Sequence, residues 1–170
     1  MGWSFLPLVN YKGGGPPALI EPLGEHLDIY EAHLAQNFGA GVQSCYRGTR
    51  LYDTDATKAV VKKWTDFYKK YRPILESDVI HVRRPDGRHL DAMLHVNPQL
   101  EHKGLAMVFN PLDHEVESTL LVPLYYTGLT DTATVRREEG PPVRYSLDRK
   151  SQLPLPIKLG ARSWAWFVIE

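Results

Sequence analysis

The feature that most constrains this 170-residue chain is a single change of hydrophobic period near Asp78. Upstream, short apolar runs alternate with long stretches whose apolar residues recur at steps of three and four, the spacing of helices buried on one side. Downstream, apolar and polar residues alternate in short runs divided by turn residues, the spacing of strands with one buried face. A chain that switches period once and does not switch back is built in two different ways. The division falls at 1–76 and 77–170, and the fold class is α+β.

In the first part, WSFLPLVNY (3–11) reads as a strand, near-continuous in its hydrophobicity as a strand covered on both faces would be, with Pro7 marking a bulge or an early end. GGGPP (13–17) is punctuation. Leu23, Leu27, Tyr30, Leu34 and Phe38 then form the stripe of an amphipathic helix that Gly39 stops. GVQSCYRG (41–48) is the next strand. Thr54 or Asp55 caps a second helix whose stripe is Val60, Val61, Trp64, Phe67, Tyr68 and Tyr71 and which ends near Pro73. Two strand–helix units give a parallel sheet two strands wide, with open edges and apolar faces uncovered. Something must complete it: strands from another chain, or more of the same chain, in which case these units are the last quarter of an eightfold barrel. A strand already under way at residue 3 fits the second arrangement.

In the second part, VIHVRR and RHLDAMLHV flank Pro85-Asp86-Gly87, a hairpin signal, and GLAMVF runs into Asn110-Pro111. Leu120, Val122 and Leu124 alternate with their neighbours, as do Leu153, Leu155, Ile157 and Leu159, and EEGPP (138–142) divides a further pair. Seven or eight short strands so spaced predict an antiparallel Greek-key β-sandwich of about 90 residues that stands alone. Trp164 and Trp166 share one face of the last strand, where two indoles plug the sandwich core or, if exposed, make a carbohydrate platform. The helix runs into the sandwich with almost no linker, so Tyr71, Ile74 and Leu75 are expected to be buried against the hairpin around Val79 to Val82.

Several function classes lose ground on composition. Twenty Lys and Arg balance twenty Asp and Glu, leaving no net field toward nucleic acid or anionic lipid. The single cysteine, Cys45, excludes an internal disulfide and is expected to be a small buried hydrophobe. No apolar run approaches the roughly 20 residues of a membrane span, and the chain as written carries no export signal. Gly13 to Gly15 lack the Lys-Ser/Thr and the directly following helix of a phosphate loop and read as a turn. His26 and His33 lack metalloprotease spacing and suit a solvated helix face. Asp53-Thr54-Asp55 lacks the remaining ligands of a calcium loop and suits helix capping. In KKWTDFYKKYR the aromatics fall at helical steps, so core stripe and solvated face explain it better than single-strand binding.

The stretches YKKYRPILESDVIHVRRPDGR, GLAMVFNPLD and PLYYTGL, placed after a terminal strand–helix–strand–helix run, resemble the C-terminal region of large bacterial glycoside hydrolases similar to α-galactosidases. The resemblance implies a (β/α)8 barrel followed by an antiparallel β-sandwich. It also implies a mechanism with two carboxylates, nucleophile and acid/base, at the C-terminal ends of the fourth and sixth barrel strands. With 3–11 and 41–46 as strands seven and eight, both carboxylates lie upstream of Met1, so no catalytic residue is assigned within this chain. The rim of a sugar site is what remains, on the loops Asn10 to Gly15 and Tyr46 to Arg50: Tyr11 and Tyr46 would offer a ring face and a hydroxyl, and Arg47 would hold a hydroxyl or an acidic group. Carbohydrate and the missing barrel strands are the implied partners; no cofactor and no metal are implied. Three classes stay open: an inactive C-terminal piece of a hydrolase, a free-standing carbohydrate-binding module, and a structural subunit that completes its sheet with a partner.

Overall fold

The computed structural model describes residues 2–7, 20–47 and 50–170, with backbone alone for 2–7, Gln43 and Arg47. The chain divides into two compact units, Met1–Arg72 and Pro73–Glu170. The run Gly13 to Gly15 lies outside the described residues.

In the first unit, β1 (Gly2–Pro7) and β2 (Val42–Arg47) pair in parallel, in step from Gly2 opposite Val42 to Pro7 opposite Arg47. Parallel strands need a crossover, and a 3-10 turn (Leu23–His26) followed by helix α1 (Leu27–Gly39) forms part of it. Leu23, Tyr30, Leu34 and Phe38 of the expected stripe are buried and Leu27 is half-buried. Gly39 is the last helical residue. The left-handed turn that leads the chain away falls two residues later, at Gly41 (φ 70°), where Ala40 N–H donates to Gln36 O and Gly41 N–H to Phe38 O.

Helix α2 (Asp55–Leu75) opens on a reciprocal cap: Thr54 N–H donates to Thr57 Oγ1 at 3.0 Å and Thr57 N–H donates to Thr54 Oγ1 at 3.1 Å. Thr57 is fully buried, which its place between Ala56 and Lys58 gave no reason to expect. Trp64, Phe67 and Tyr71 are buried in a run of tilted ring contacts at 5.3 and 5.4 Å, each such pair worth about 1 kcal/mol beyond area burial. Lys62, Lys63, Lys69 and Lys70 are exposed, the solvated face. Pro73 lies inside the helix rather than ending it. Proline removes one N–H and crowds the carbonyl four residues back, a cost smallest near a helix end. The helix continues because Ile74 and Leu75 are 1% and 2% exposed, and Ser77 closes it by donating N–H to Ile74 O and hydroxyl to Pro73 O.

The second unit holds eight strands: β3 (Asp78–Arg83), β4 (Asp91–Val96), β5 (Gly104–Phe109), β6 (Val116–Pro123), β7 (Thr132–Arg137), β8 (Pro142–Ser146), β9 (Gln152–Leu159) and β10 (Trp164–Ile169). They form a six-stranded antiparallel sheet in the order β3-β4-β5-β10-β7-β8 and a two-stranded sheet of β6 and β9. One core joins Leu94, Ala106 and Phe167 of the wide sheet to Val122, Leu155 and Ile157 of the narrow one. Strand β9 follows the expected alternation, with Leu153, Leu155, Ile157 and Leu159 buried and Pro154, Pro156 and Lys158 exposed. The Pro-Asp-Gly turn forms as read: Asp86 Oδ1 accepts from Arg88 N–H at 2.9 Å and His89 N–H at 3.1 Å, and Gly87 takes φ 66°.

The expectation for the two indoles fails here. The residues of β10 that join the core are Ala165, Phe167 and Ile169, so Trp164 and Trp166 lie on the opposite face and do not plug the sandwich. Nor do they form an open platform: Trp166 is 7% exposed, and Val168, Leu105, Met107 and His95 on the same face are buried as well. A sheet buried on both faces has apolar residues at odd and even positions alike, so alternation in WAWFVI could not say which set faces the core. Val79 is 46% exposed, because β3 is an edge strand and Val79 points away from the side on which Ile80 and Val82 are half-buried. No helix among the described residues is long and apolar enough to cross a membrane.

Candidate functional site

The C-terminal end of the parallel pair is the place where a strand–helix unit presents ligand-facing loops. Tyr46, the penultimate residue of β2, is half-buried there, and burial raises its phenol above the ordinary tyrosine range. Tyr30 of α1 is fully buried, and its hydroxyl donates to Leu51 O at 2.8 Å. Burial first, then the neighbouring Tyr46 hydroxyl and the Asp53 and Glu21 carboxylates, push the Tyr30 phenol well above its usual value. Both phenols are thus held in the protonated, donating form.

Around them the segment before α1 is clasped to the segment before α2. Arg50 donates to both oxygens of Glu21, at 2.8 and 3.3 Å. That hydrogen bond and the Glu21 charge raise the guanidinium above its ordinary range, although the exposed pair adds little to stability. Gly24 N–H donates to Asp53 Oδ2 at 3.1 Å, and Thr57 Oγ1 donates to Asp53 Oδ1 at 3.1 Å. Burial alone would raise the Asp53 carboxyl, but these hydrogen bonds and Arg50 hold it below the usual carboxylate value. The approach at Gly24 is close: a side-chain carbon there would lie 2.9 Å from Thr54 Cγ2. Beside the clasp, Tyr52, Asp53, Thr54, Asp55 and Lys58 line a hollow of about 470 Å³, with Lys58 Nζ 5.6 Å from the centre of the Tyr52 ring.

Of the residues expected to face a sugar, only Tyr46 is placed with its side chain. Tyr11 and the Arg47 side chain lie outside the described residues. The sequence reading missed Glu21, Tyr30 and Arg50 as a group with Asp53, because they are brought together by the crossover and no local spacing announces them. Asp53 does not serve as the α2 cap; its carboxylate is spent on Gly24 and Thr57, and Thr54 is the cap. Cys45 is half-buried rather than buried, on a strand with a single described partner strand. Among the described residues no group of three His, Cys, Asp or Glu side chains is placed to hold a metal ion. The arrangement therefore offers the Tyr46 hydroxyl beside a segment before α2 that Glu21, Arg50, Tyr30 and Asp53 hold to the segment before α1.

No protein-family model and no curated protein matches the sequence. Solved structures do. A GH27 β-L-arabinopyranosidase from Geobacillus stearothermophilus in complex with arabinose is 14% identical with a TM-score of 0.58, the match covering 99% of this chain and 37% of that one. An α-amylase from Geobacillus thermoleovorans complexed with acarbose is 12% identical with a TM-score of 0.57, covering 85% and 33%. A Bacteroides fragilis chain assigned as an α-galactosidase/melibiase is 15% identical with a TM-score of 0.55, covering 83% and 28%. At these identities the likeness is one of fold. The chain spans about a third of the length of these structures, and its α+β fold, with a mostly antiparallel sandwich, is that of a portion of glycoside hydrolases of the α-galactosidase and amylase kind.

Proposed function

We propose that this chain is the C-terminal part of a glycoside-hydrolase-like protein of the α-galactosidase kind, residues 1–76 being the last two strand–helix units of an eightfold barrel and 77–170 the supporting sandwich. The observation that carries this reading is the joining, in one chain, of an incomplete parallel pair to an antiparallel sandwich, in an order matched over 99% of the chain by a sugar-cleaving enzyme of nearly three times its length. A parallel sheet of two strands leaves both edges unpaired, and six more strands would close them. In this reading Tyr11, Tyr46 and Arg47 form part of the rim of the sugar site, and the clasp of Glu21, Arg50, Tyr30 and Asp53 holds the segment that leads from that rim into α2. The carboxylate pair of the reaction would belong to the missing strands.

The isolated chain should then not hydrolyse glycosides, since loss of one member of such a pair already costs orders of magnitude in rate. Nitrophenyl α-galactosides and β-L-arabinopyranosides are the substrates to use. Turnover that disappears on replacing a carboxylate within residues 1–170 would refute the proposal. A reading frame that continues upstream into six further strand–helix units would support it.

A further inference from the structure

We propose that the sandwich carries a saccharide-binding site of its own, formed by Tyr125, Tyr126 and Asp78 at the β3 edge of the wide sheet. Tyr125 and Tyr126 are 72% and 62% exposed, while the residues on either side of them, Leu124 and Thr127, are fully buried. The two rings sit on a 3-10 turn (Tyr125–Thr127) and meet edge to face at 5.3 Å and 87°. That turn is fixed from several directions. Thr127 Oγ1 donates to Leu124 O at 2.6 Å, Leu124 N–H donates to Ser151 O at 2.8 Å, and Gly128, at φ 76°, donates its N–H to Tyr125 O at 3.3 Å. Ordering costs for a ligand are smallest where the receiving groups are already immobile.

Beside the rings, Tyr126 lines a pocket of about 320 Å³ together with Asp78, Ile80, Val96 and Pro98, within the range of small-molecule sites. The chain next to its lining residues is also held: Asn97 Nδ2 donates to Ser77 Oγ at 3.0 Å, and Lys103 Nζ donates to Pro98 O at 2.9 Å. The lining selects the ligand class. Aromatic and aliphatic surface asks for an apolar ring face. The exposed Asp78 carboxylate, which meets no cation among the described residues, asks for hydroxyl donors and repels anions. A purely apolar ligand would strip water from Asp78 and return nothing. A neutral pyranose satisfies both demands, stacking its C–H face on a tyrosine and donating hydroxyls to Asp78. The site lies wholly within the sandwich and does not depend on the chain being part of a hydrolase.

The test is calorimetric titration, with saturation-transfer NMR, of the full chain against acarbose and neutral galactose-, glucose- and arabinose-based oligosaccharides. We expect at least one to bind, with the Y125A/Y126A double variant weakening it about tenfold or more and Y125F/Y126F staying within about threefold of the parent. D78N should weaken binding while leaving the melt unchanged. Binding unchanged in Y125A/Y126A overturns the proposal, as does no binding of any probe up to about 10 mM. So does a change of oligomeric state in the double variant, which would make the tyrosines a protein contact.

Discussion

Replacing Asn110 should damage the sandwich far more than a single polar side chain in a loop normally would. Asn110 is 2% exposed, and its Nδ2 donates to Gly160 O at 2.7 Å, to His114 O at 2.8 Å and, more weakly, to Leu159 O at 3.3 Å. Its Oδ1 accepts from Leu112 N–H at 3.1 Å. One side chain thus ties the crossing from β5 to β6 onto the turn between β9 and β10. Asn110→Ala removes three hydrogen bonds of good geometry, at about 1 kcal/mol net each, giving about 3 kcal/mol. For a unit of this size that corresponds to a fall of about 12–24 °C in Tm. Asn110→Asp is the sharper comparison. It can still accept from Leu112, but it aims a negative charge at the carbonyl oxygens that Nδ2 had served. The folded state would then favour the neutral acid, so its pKa rises above the unfolded value of about 3.9 and stability falls as pH rises through that window. Asn110→Asp should therefore be worse than alanine at pH 7 and should recover below about pH 4. Urea unfolding followed by circular dichroism measures both. A loss under about 1 kcal/mol for alanine, or aspartate no worse than alanine at pH 7, would refute the reasoning.

Three further outcomes are expected. Asp91 Oδ1 is buried with no hydrogen-bond partner among the described residues, and burial first, then Asp86, raises its carboxyl above the ordinary value against the opposing pull of Arg83. Because the folded state favours the protonated form, the penalty grows as pH rises through and above the usual carboxylate range. Asp91→Asn should therefore stabilise at pH 7 by up to about 1 kcal/mol and give no gain near pH 3, read from urea midpoints. Residues 77–170 expressed alone should be soluble, β-rich by circular dichroism and cooperative in their melt; a molten product beside a well-folded 1–75 fragment would reverse the assignment. Ile74→Ser with Leu75→Ser should speed protease cleavage near residues 72–78, since both side chains are buried at the end of α2; equal cutting of variant and parent would show that the junction was never held.

What could be read from the sequence followed the periodic signals. Trp64, Phe67 and Tyr71 fall at helical steps with lysines between them, and that pattern admits one solution. The Leu153 to Leu159 series and the Pro85-Asp86-Gly87 turn are equally local. The misreadings have a common cause in burial that sequence spacing does not report. Trp166 was placed on the wrong side because both faces of β10 are covered. The end of α2 near Pro73 was legible to within two residues, the buried Ile74 and Leu75 being the last of the helix. The clasp of Glu21 and Arg50 spans 29 residues of sequence, and Tyr126 meets the pocket of Asp78 across several strands. Tyr125 and Tyr126 carried no periodic signal; they sit on a 3-10 turn that ends at Gly128 in the left-handed region, and both rings are exposed there.

The position of β10 has a consequence for synthesis. It is the last strand in chain order, yet it sits in the middle of the wide sheet, antiparallel to β5 on one side and β7 on the other. Until it leaves the ribosome, β3-β4-β5 and β7-β8 are separate ribbons with two raw inner edges and no seam between them. The sheet thus closes after translation of its central strand, in one late step built on contacts far apart in sequence, the kind that form slowly. A nascent or shortened chain lacking Trp164–Ile169 would present those edges to any other strand available, so this one strand acts as the lock of the sandwich and as its protection against pairing with its own copies.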